Sequence, residues 1–178
     1  MNQTELQYSV HPPSPFLRAH LNQLLPDWSL PAASVLLILQ KRQSETLDRT
    51  GETETDKDRL REQFIKLGCN IARTLGKMGH QVDLFDPRTG WPLLSSPGEY
   101  QLDDVAVVCA LLGYATNPKG SCATLLHPIW GRAVYPSTLL SSAPPTLVKS
   151  VSDDYLLYHT GLCISYVVED RSAYSEPK

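Results

Sequence analysis

The sequence predicts an α+β fold in which helices pack on a mainly antiparallel sheet. The clearest helical pattern lies in the first half of the chain, whereas most strand-like segments lie in the second half. The segments form few of the βαβ repeats that a doubly wound sheet would require. The chain has 178 residues, 42% of them hydrophobic, which is enough for one domain with a single core.

The first forty residues predict an extended arm, a short helix and a strand. Residues 1–13 are taken as an N-terminal arm because prolines crowd its end. Ser14 can cap a helix, and Pro15 suits the first helical position. After Pro26 ends this helix, residues 34–40 are almost all apolar, which predicts a strand buried on both faces.

A long helix is the clearest element of the sequence. Residues 41–58 are polar and are predicted to form an exposed, mobile connection. The apolar residues that follow recur every three or four positions, and Gly79 stands where a helix would end. The predicted apolar face comprises Leu60, Phe64, Leu67, Ile71, Leu75 and Met78. A strand over residues 80–86 and a turn closing at Gly90 should follow.

Three further strands are predicted in the second half of the domain. Residues 105–112 are apolar and rich in β-branched valine, which favours a strand. Residues 123–126 and 132–135 are expected to be strands on either side of a turn at Trp130 and Gly131.

The last thirty residues are expected to add to a main domain that spans residues 14–148. Residues 149–170 are too apolar for a free tail, so we expect a C-terminal β extension. Residues 171–178 are predicted to be disordered.

The charge balance and the terminal sequence exclude several classes of function. The chain has 16 Lys and Arg residues against 19 Asp and Glu residues, a formal net charge of −3. This balance lacks the positive field with which proteins bind nucleic acid. The first residues contain neither a secretory signal nor an Arg-rich presequence, and the apolar run 35–39 is far shorter than the roughly 20 residues that span a bilayer. We therefore expect a soluble, cytoplasmic protein without a membrane or nucleic-acid partner.

Common catalytic signatures are absent from the sequence, including glycine-rich nucleotide motifs, HExxH and GxSxG. Cys122 and His127 could pair as nucleophile and base, but side chains five positions apart on a strand point to opposite faces. A structural histidine is therefore favoured. The adjacent carboxylates of Asp103 and Asp104 are expected in a solvated turn. We predict no enzymatic activity and no cofactor bound by the chain alone.

An ordered series of landmarks runs through the sequence. The first part is Pro26-Asp27-Trp28 before the strand at residues 35–39. The second part consists of Phe64-Ile65, Gly79, Asp83, Phe85, Asp86-Pro87, Gly90, Gly113, Gly120, Cys122, His127-Pro128-Ile129-Trp130-Gly131 and Ala143-Pro144. Such landmarks in one order are more specific than any single motif, and this series resembles the family of methylmalonic aciduria and homocystinuria type D proteins.

The resemblance implies a fold related to flavin-dependent nitroreductases, without the flavin and without a reaction. It implies a trafficking adaptor for cobalamin (vitamin B12) that binds a CblC-like cobalamin-processing protein. The adaptor would direct the cofactor toward cobalamin-dependent enzymes. Two alternatives remain open, a flavin-type reductase on the same scaffold and an interaction protein for another tetrapyrrole or assembly complex.

The resemblance also implies a site around Gly120, Ser121 and Cys122. In animal members a cysteine directly after the glycine is implicated as a cobalt ligand in the partner complex, and a soft thiolate suits cobalt. Here Ser121 takes that position. Either Cys122 is the cobalt ligand instead, or thiol ligation is absent.

The family-like block after this site predicts partner-binding residues His127, Trp130 and Gly131. The tryptophan offers an aromatic platform and the glycine a turn, both of which interfaces use. The alternative is that Trp130 and Cys122 only pack in the core.

Overall fold

The computed structural model describes residues 5–45, 50–117, 123–159 and 164–167. The strands are β1 (Leu6–His11), β2 (Ser34–Lys41), β3 (Val82–Leu84), β4 (Thr116–Asn117), β5 (Thr124–Leu125), β6 (Val134–Ser141) and β7 (Ile164–Tyr166). The helices are α1 (Pro15–Ala19), α2 (Leu21–Leu24), α3 (Gly51–Lys77), α4 (Asp104–Leu112) and α5 (Pro145–His159).

Five of the strands form one mixed sheet in the order β3-β6-β2-β1-β7. The first three pairings in this order are antiparallel, and only the pairing of β1 with β7 is parallel. Strands β4 and β5 pair separately as a small antiparallel unit. The α+β class is therefore confirmed, and the sheet is mixed, with one parallel pairing beside three antiparallel ones.

Strand β2 lies in the middle of the sheet and is buried along almost its whole length. Val35, Leu37 and Leu39 face a core cluster that includes residues of α1, α2 and α4. Leu36 and Ile38 face a second cluster, built with α3 and α5. The prediction of a strand buried on both faces is confirmed.

Helix α3 begins earlier than the apolar pattern indicated. The Thr50 hydroxyl accepts a hydrogen bond from the Thr53 amide (3.3 Å), and the Thr53 hydroxyl accepts one from the Thr50 amide (3.0 Å). These reciprocal bonds satisfy amides that a helix start leaves free. The prediction of an exposed connection is therefore wrong for residues 51–58, which form the first turns of α3.

The end of α3 is where the sequence predicted it. The His80 amide donates to the Leu75 carbonyl (3.1 Å), and the Gly79 amide donates to the Gly76 carbonyl (3.0 Å). This pair of bonds is the Schellman arrangement that commonly ends helices.

The segment taken as an N-terminal arm belongs to the sheet. Residues 6–11 form β1, which lies between β2 and β7. Leu6 and Tyr8 are buried in the α3–α5 cluster, and Val10 packs against it. The alternation of these side chains with polar residues is the period-two pattern of a strand.

Residues 105–112 form a helix, so the prediction of a strand there is wrong. The Asp103 carboxylate caps this helix, α4, by accepting hydrogen bonds from the amides of Val105 (2.9 Å) and Ala106 (3.1 Å). Gly113 ends it with a φ of 68°, a left-handed conformation that favours glycine. The two caps outweigh the modest strand preference of the valines.

The predicted β extension begins as a helix. Helix α5 occupies residues 149–159, where the prediction of a strand is wrong, and residues 164–166 form strand β7. Lys149 and Asp153 form an i,i+4 ion pair of 2.7 Å on α5. The predicted disordered tail, 171–178, lies outside the described residues.

Aromatic and charged contacts attach β7 to the rest of the fold. The Tyr166 ring meets the Tyr8 ring edge-on at 5.1 Å, and the Lys149 ammonium lies 4.5 Å from the centre of the Tyr166 ring. The Tyr8 hydroxyl donates a hydrogen bond to Asp153 on α5. Burial, followed by this carboxylate, raises the pKa of Tyr8, so the phenol stays protonated. These contacts tie β1, α5 and β7 together.

The carboxyl group of Asp104 is enclosed at the start of α4. Burial raises its pKa to about 7, and the charges of Asp103 and Asp86 add to this effect. The Thr138 hydroxyl lowers the pKa and offsets part of the shift. The expectation of two carboxylates in a solvated turn is therefore wrong for Asp104 and holds only for the exposed Asp103.

Two glycines of α3 should respond oppositely to alanine. A Cβ atom at Gly68 would lie 2.1 Å from a methyl carbon of the buried Leu84, whereas nothing lies within 4 Å at the exposed Gly76. We expect Gly68→Ala to lower the free energy of unfolding by about 1–3 kcal/mol through overpacking. Gly76→Ala should raise it by roughly 0.5–1 kcal/mol, because alanine favours a helix.

Urea unfolding of the parent and both variants measures these differences. Equal changes of the same sign in the two variants would mean that helix propensity alone acts and that α3 does not pack closely on β3.

Asp104 should make the stability fall as the pH rises. A carboxyl whose folded pKa lies above its ordinary value of 3.8 contributes its full stabilisation below that value. This advantage is lost as the pH rises through the folded pKa of about 7. The free energy of unfolding of Asp104→Asn, relative to that of the parent, should therefore rise by on the order of 2–4 kcal/mol between about pH 4 and pH 8.

Denaturant unfolding across this pH range checks the gain. Asp103→Asn is the matched control, because asparagine also caps helices well and residue 103 is exposed. If the stability of the parent and of Asp104→Asn depended on pH in the same way, the carboxyl of Asp104 would not have a raised pKa.

Candidate functional site

The family-like block of the sequence forms a loop between β5 and β6. The Leu126 amide donates to the Ala115 carbonyl (2.8 Å), which continues the pairing of β4 with β5. His127 and Gly131 then exchange backbone hydrogen bonds of 2.7 and 3.0 Å and close a tight turn. Gly131 has a φ of 56°, which favours glycine at this position. We call residues 126–133 the Ile129 loop.

The His127 side chain holds this turn from inside. Its Nδ1 accepts hydrogen bonds from the amides of Ile129 and Trp130, both at 3.1 Å. Its Nε2 lies 2.9 Å from Oε1 of Gln7 on β1. Since Nδ1 accepts these hydrogen bonds, the ring proton is on Nε2, which donates a hydrogen bond to Oε1 of Gln7. Burial lowers the pKa of His127 to about 4, so the ring is neutral near pH 7.

Aromatic rings enclose the His127 imidazole. The Trp130 ring stacks on it with centroids 4.1 Å apart and an angle of 13°. The Tyr114 ring meets it edge-on at 5.5 Å. His127 and Trp130 are 3% and 5% exposed, so a partner could touch little of either side chain. The structural role expected for His127 fits this geometry.

Ile129, between these two buried residues, points into solvent. Its side chain is 76% exposed, the most of the large hydrophobic residues among the described positions. The sequence analysis did not single it out. The available signal was the apolar residue inside a turn, where a polar residue is usual. The loop thus combines a fixed backbone with one exposed apolar side chain.

A cleft of about 390 Å³ lies beside the exposed isoleucine. It is lined by Lys41, Arg42, Gln43, Glu45, Ile129, Trp130 and Ala133. The Arg42 amide donates to the Ala133 carbonyl (3.0 Å), which joins the end of β2 to the loop. The Glu45 carboxylate lies close to Gly131, where an added Cβ would meet its Oε1 at 3.1 Å. Charges of both signs therefore border the apolar side chain.

The residues of the predicted cobalt site, Gly120, Ser121 and Cys122, lie outside the described residues. Strands β4 and β5, on either side of them in the sequence, are described, and Asn117 of β4 pairs with Thr124 of β5. Strand β5 leads directly into the Ile129 loop.

Two other cysteines lie within the described residues. Cys69 and Cys109 are free and partly buried thiols. Burial raises the pKa of Cys109, which disfavours its thiolate. Across residues 5–45, 50–117, 123–159 and 164–167, no three His, Cys, Asp or Glu side chains are grouped as a metal site would require.

His127 is poorly suited to act as a base for a neighbouring cysteine. Its Nδ1 lone pair already accepts two amide hydrogens, and its Nε2 hydrogen is directed at Gln7. Its pKa of about 4 also makes it a weak base. The described geometry thus gives no support to a Cys122–His127 dyad.

Comparison with known families identifies the chain. The sequence model of the family described as methylmalonic aciduria and homocystinuria type D protein matches residues 1–151. The chain belongs to this family. The match includes every element from β1 to β6 and ends within α5, so β7 lies beyond it.

The relatives in this family carry the name cobalamin trafficking protein CblD. The human protein is 24% identical over 129 residues, which cover 72% of this chain and 44% of the human protein. The chicken protein is 23% identical over 129 residues, which again cover 72% of this chain and 44% of the relative. The rat protein is 24% identical over 127 residues, which cover 71% of this chain and 43% of the relative. The matched region therefore spans less than half the length of these relatives.

The structure adds one observation on membrane association. Among the parts of the chain that it describes, no helix has both the length and the apolar character needed to cross a bilayer.

Proposed function

We propose that this chain is a non-enzymatic, cytoplasmic cobalamin-trafficking adaptor. It binds a CblC-like cobalamin-processing protein and directs the cofactor to cobalamin-dependent enzymes. The family match over residues 1–151 is the observation that carries the proposal. The matched relatives are named as trafficking proteins, so they do not favour the reductase alternative. The proposed scaffold is nitroreductase-like, and cobalamin is cargo in the partner complex.

The proposed partner contact centres on the Ile129 loop. A contact needs an exposed apolar side chain on a backbone that is already ordered, because ordering a loop on binding weakens affinity. Two hydrogen bonds from backbone amides to the His127 ring order this backbone in the free protein. The backbone pairing of His127 with Gly131 adds to this order. His127, Trp130 and Gly131 thus support the contact, and Ile129 makes it.

The proposed cobalt contact is the Cys122 thiolate. Strands β4 and β5, on either side of Cys122 in the sequence, pair with each other, and β5 leads directly into the Ile129 loop. The partner would supply the bound cobalamin, and Cys122 would approach the cobalt from the adaptor. The alternative, in which thiol ligation is absent, leaves the protein contact unchanged.

Ile129→Asp should weaken binding of a CblC-like protein. Full burial of an isoleucine contributes about 1.5–3 kcal/mol, so the dissociation constant should rise about 10- to 100-fold. Isothermal titration calorimetry measures this change. Leu30→Asp is the matched control, because Leu30 is also an exposed apolar residue, at 43%, and lies outside the loop.

The thermal midpoint of both variants should stay close to that of the parent, since exposed side chains contribute little to stability. Equal affinities of Ile129→Asp and the parent would place the partner contact elsewhere.

Cys122→Ser should separate cobalt ligation from partner binding. When the parent is added to partner-bound cobalamin, a thiolate ligand should shift the visible absorption of the cofactor. The serine variant should bind the partner normally and produce no shift. Cys109→Ser, which changes a partly buried thiol, should behave like the parent.

Ser121→Cys puts a thiol at the position that the resemblance assigns to the cobalt ligand and should keep or enlarge the shift. An identical shift with Cys122→Ser would show that this residue is not the ligand. Normal partner binding in that case would leave the adaptor function intact.

A further inference from the structure

An open groove lies between the α1–α2 helices, residues 99–103 and α4. Its volume is about 870 Å³. The buried side chains of Leu17, Leu24, Leu102 and Val107 line it. None of its lining residues belongs to the Ile129 loop or to the cleft beside that loop. The groove is therefore a second surface that the proposed partner contact does not use.

Helix α4 gives the groove an apolar wall that solvent reaches. After Asp104 its sequence, VAVVCALL, has no polar residue. A helix that is apolar on all sides is normally covered on all sides. Ala106 and Ala110 of α4 are nonetheless exposed, and both line the groove.

The opposite wall carries exposed aromatic rings. Phe16 is 60% exposed, and its ring stacks on His20 with centroids 4.1 Å apart. Tyr100 is 44% exposed, and its ring lies 5.9 Å from that of His20. The His20 Nδ1 lies 2.9 Å from the Phe16 carbonyl oxygen, which orients the imidazole. This wall is ordered before anything binds.

The charge at the groove has one sign. Glu99 and Asp103 both line it and are exposed, and no Lys or Arg is among its lining residues. Apolar walls bordered by acidic groups favour an occupant that is apolar on one face and basic beside it.

The shape of the groove suits a helix. The lining residues of α4 run from its cap at Asp103 to Ala110, or about two turns and 10 Å. Alanines one turn apart let a second helix approach closely, because they add little to the separation of the axes. Two facing walls with an open side match the mode in which an amphipathic helix binds in a groove.

We propose that this groove binds the apolar face of a basic amphipathic helix from a partner protein. The large apolar side chains of that helix contact Val107 and Leu17, and its basic residues pair with Glu99 and Asp103. The proposal does not depend on cobalamin or on the Ile129 loop.

A labelled synthetic peptide of about four helical turns tests the proposal. The probe has leucines on one face and lysines on the other. Its matched control carries glutamates in place of the lysines. We expect saturable binding of the lysine peptide to the full chain in the micromolar range by fluorescence anisotropy. The glutamate peptide should bind at least about tenfold more weakly, because its charge repels the groove.

Ala110→Arg should weaken binding of the lysine peptide at least about tenfold, because it fills the groove and adds a positive charge. Thr55→Arg adds the same charge at an exposed position of α3 outside the groove and should bind like the parent. Glu99→Gln should weaken binding several-fold at low salt, and less at high salt. Circular dichroism confirms that each variant is folded.

Three outcomes would overturn the proposal. The first is no saturable binding of the peptide, or equal binding to Ala110→Arg and the parent. The second is a dimer in sedimentation velocity that Ala110→Arg dissociates, which would assign the groove to a second copy of the chain. The third is that the peptide does not bind, whereas one neutral apolar dye molecule binds per parent chain and none binds to Ala110→Arg. That result would assign the groove to a small molecule.

Discussion

The burial of β2 on both faces and along both edges is the constraint on which the architecture depends. Its side chains alternate between the two core clusters, so each face of the strand needs its own helical layer. Helices α1, α2 and α4 supply one layer, and α3 and α5 supply the other. Its edges are paired by β1 and β6 over six and eight residue positions. The Ile129 loop ends at the start of β6 and is held to the end of β2 by the hydrogen bond from Arg42 to Ala133, so its position follows from the same strand.

The parts of the fold that sequence could predict are those with one dominant pattern. The run at residues 34–40 and the apolar face of α3 are of this kind. Residues 105–112 were ambiguous, because a short apolar run with valines suits a buried strand and a buried helix equally. The deciding signals stood outside the run, in the cap at Asp103 and the glycine at 113. Strand β1 was missed because its period-two pattern is only six residues long and lies before a group of prolines.

For the candidate site, sequence predicted the position of the loop but not the directions of its side chains. Sequence landmarks located the loop, because a histidine, a tryptophan and a glycine stand close together in it. They did not give the direction of each side chain, which depends on the backbone pairing of His127 with Gly131 and on Gln7, 120 residues earlier in the chain. Aromatic residues that sequence placed at an interface are therefore inside, and the aliphatic residue between them is outside.

The parallel pairing of β1 with β7 has a consequence for synthesis on the ribosome. The paired strands β1 and β2 emerge before the rest of the described sheet, but β2 waits for β6, about a hundred residues later, before its second edge is covered. The outer edge of β1 waits longer still, until residues 164–166 have left the exit tunnel. Unpaired strand edges are sites where nascent chains associate wrongly. Strand β7 thus protects the outer edge of β1, and premature termination within α5 would release chains with that edge open.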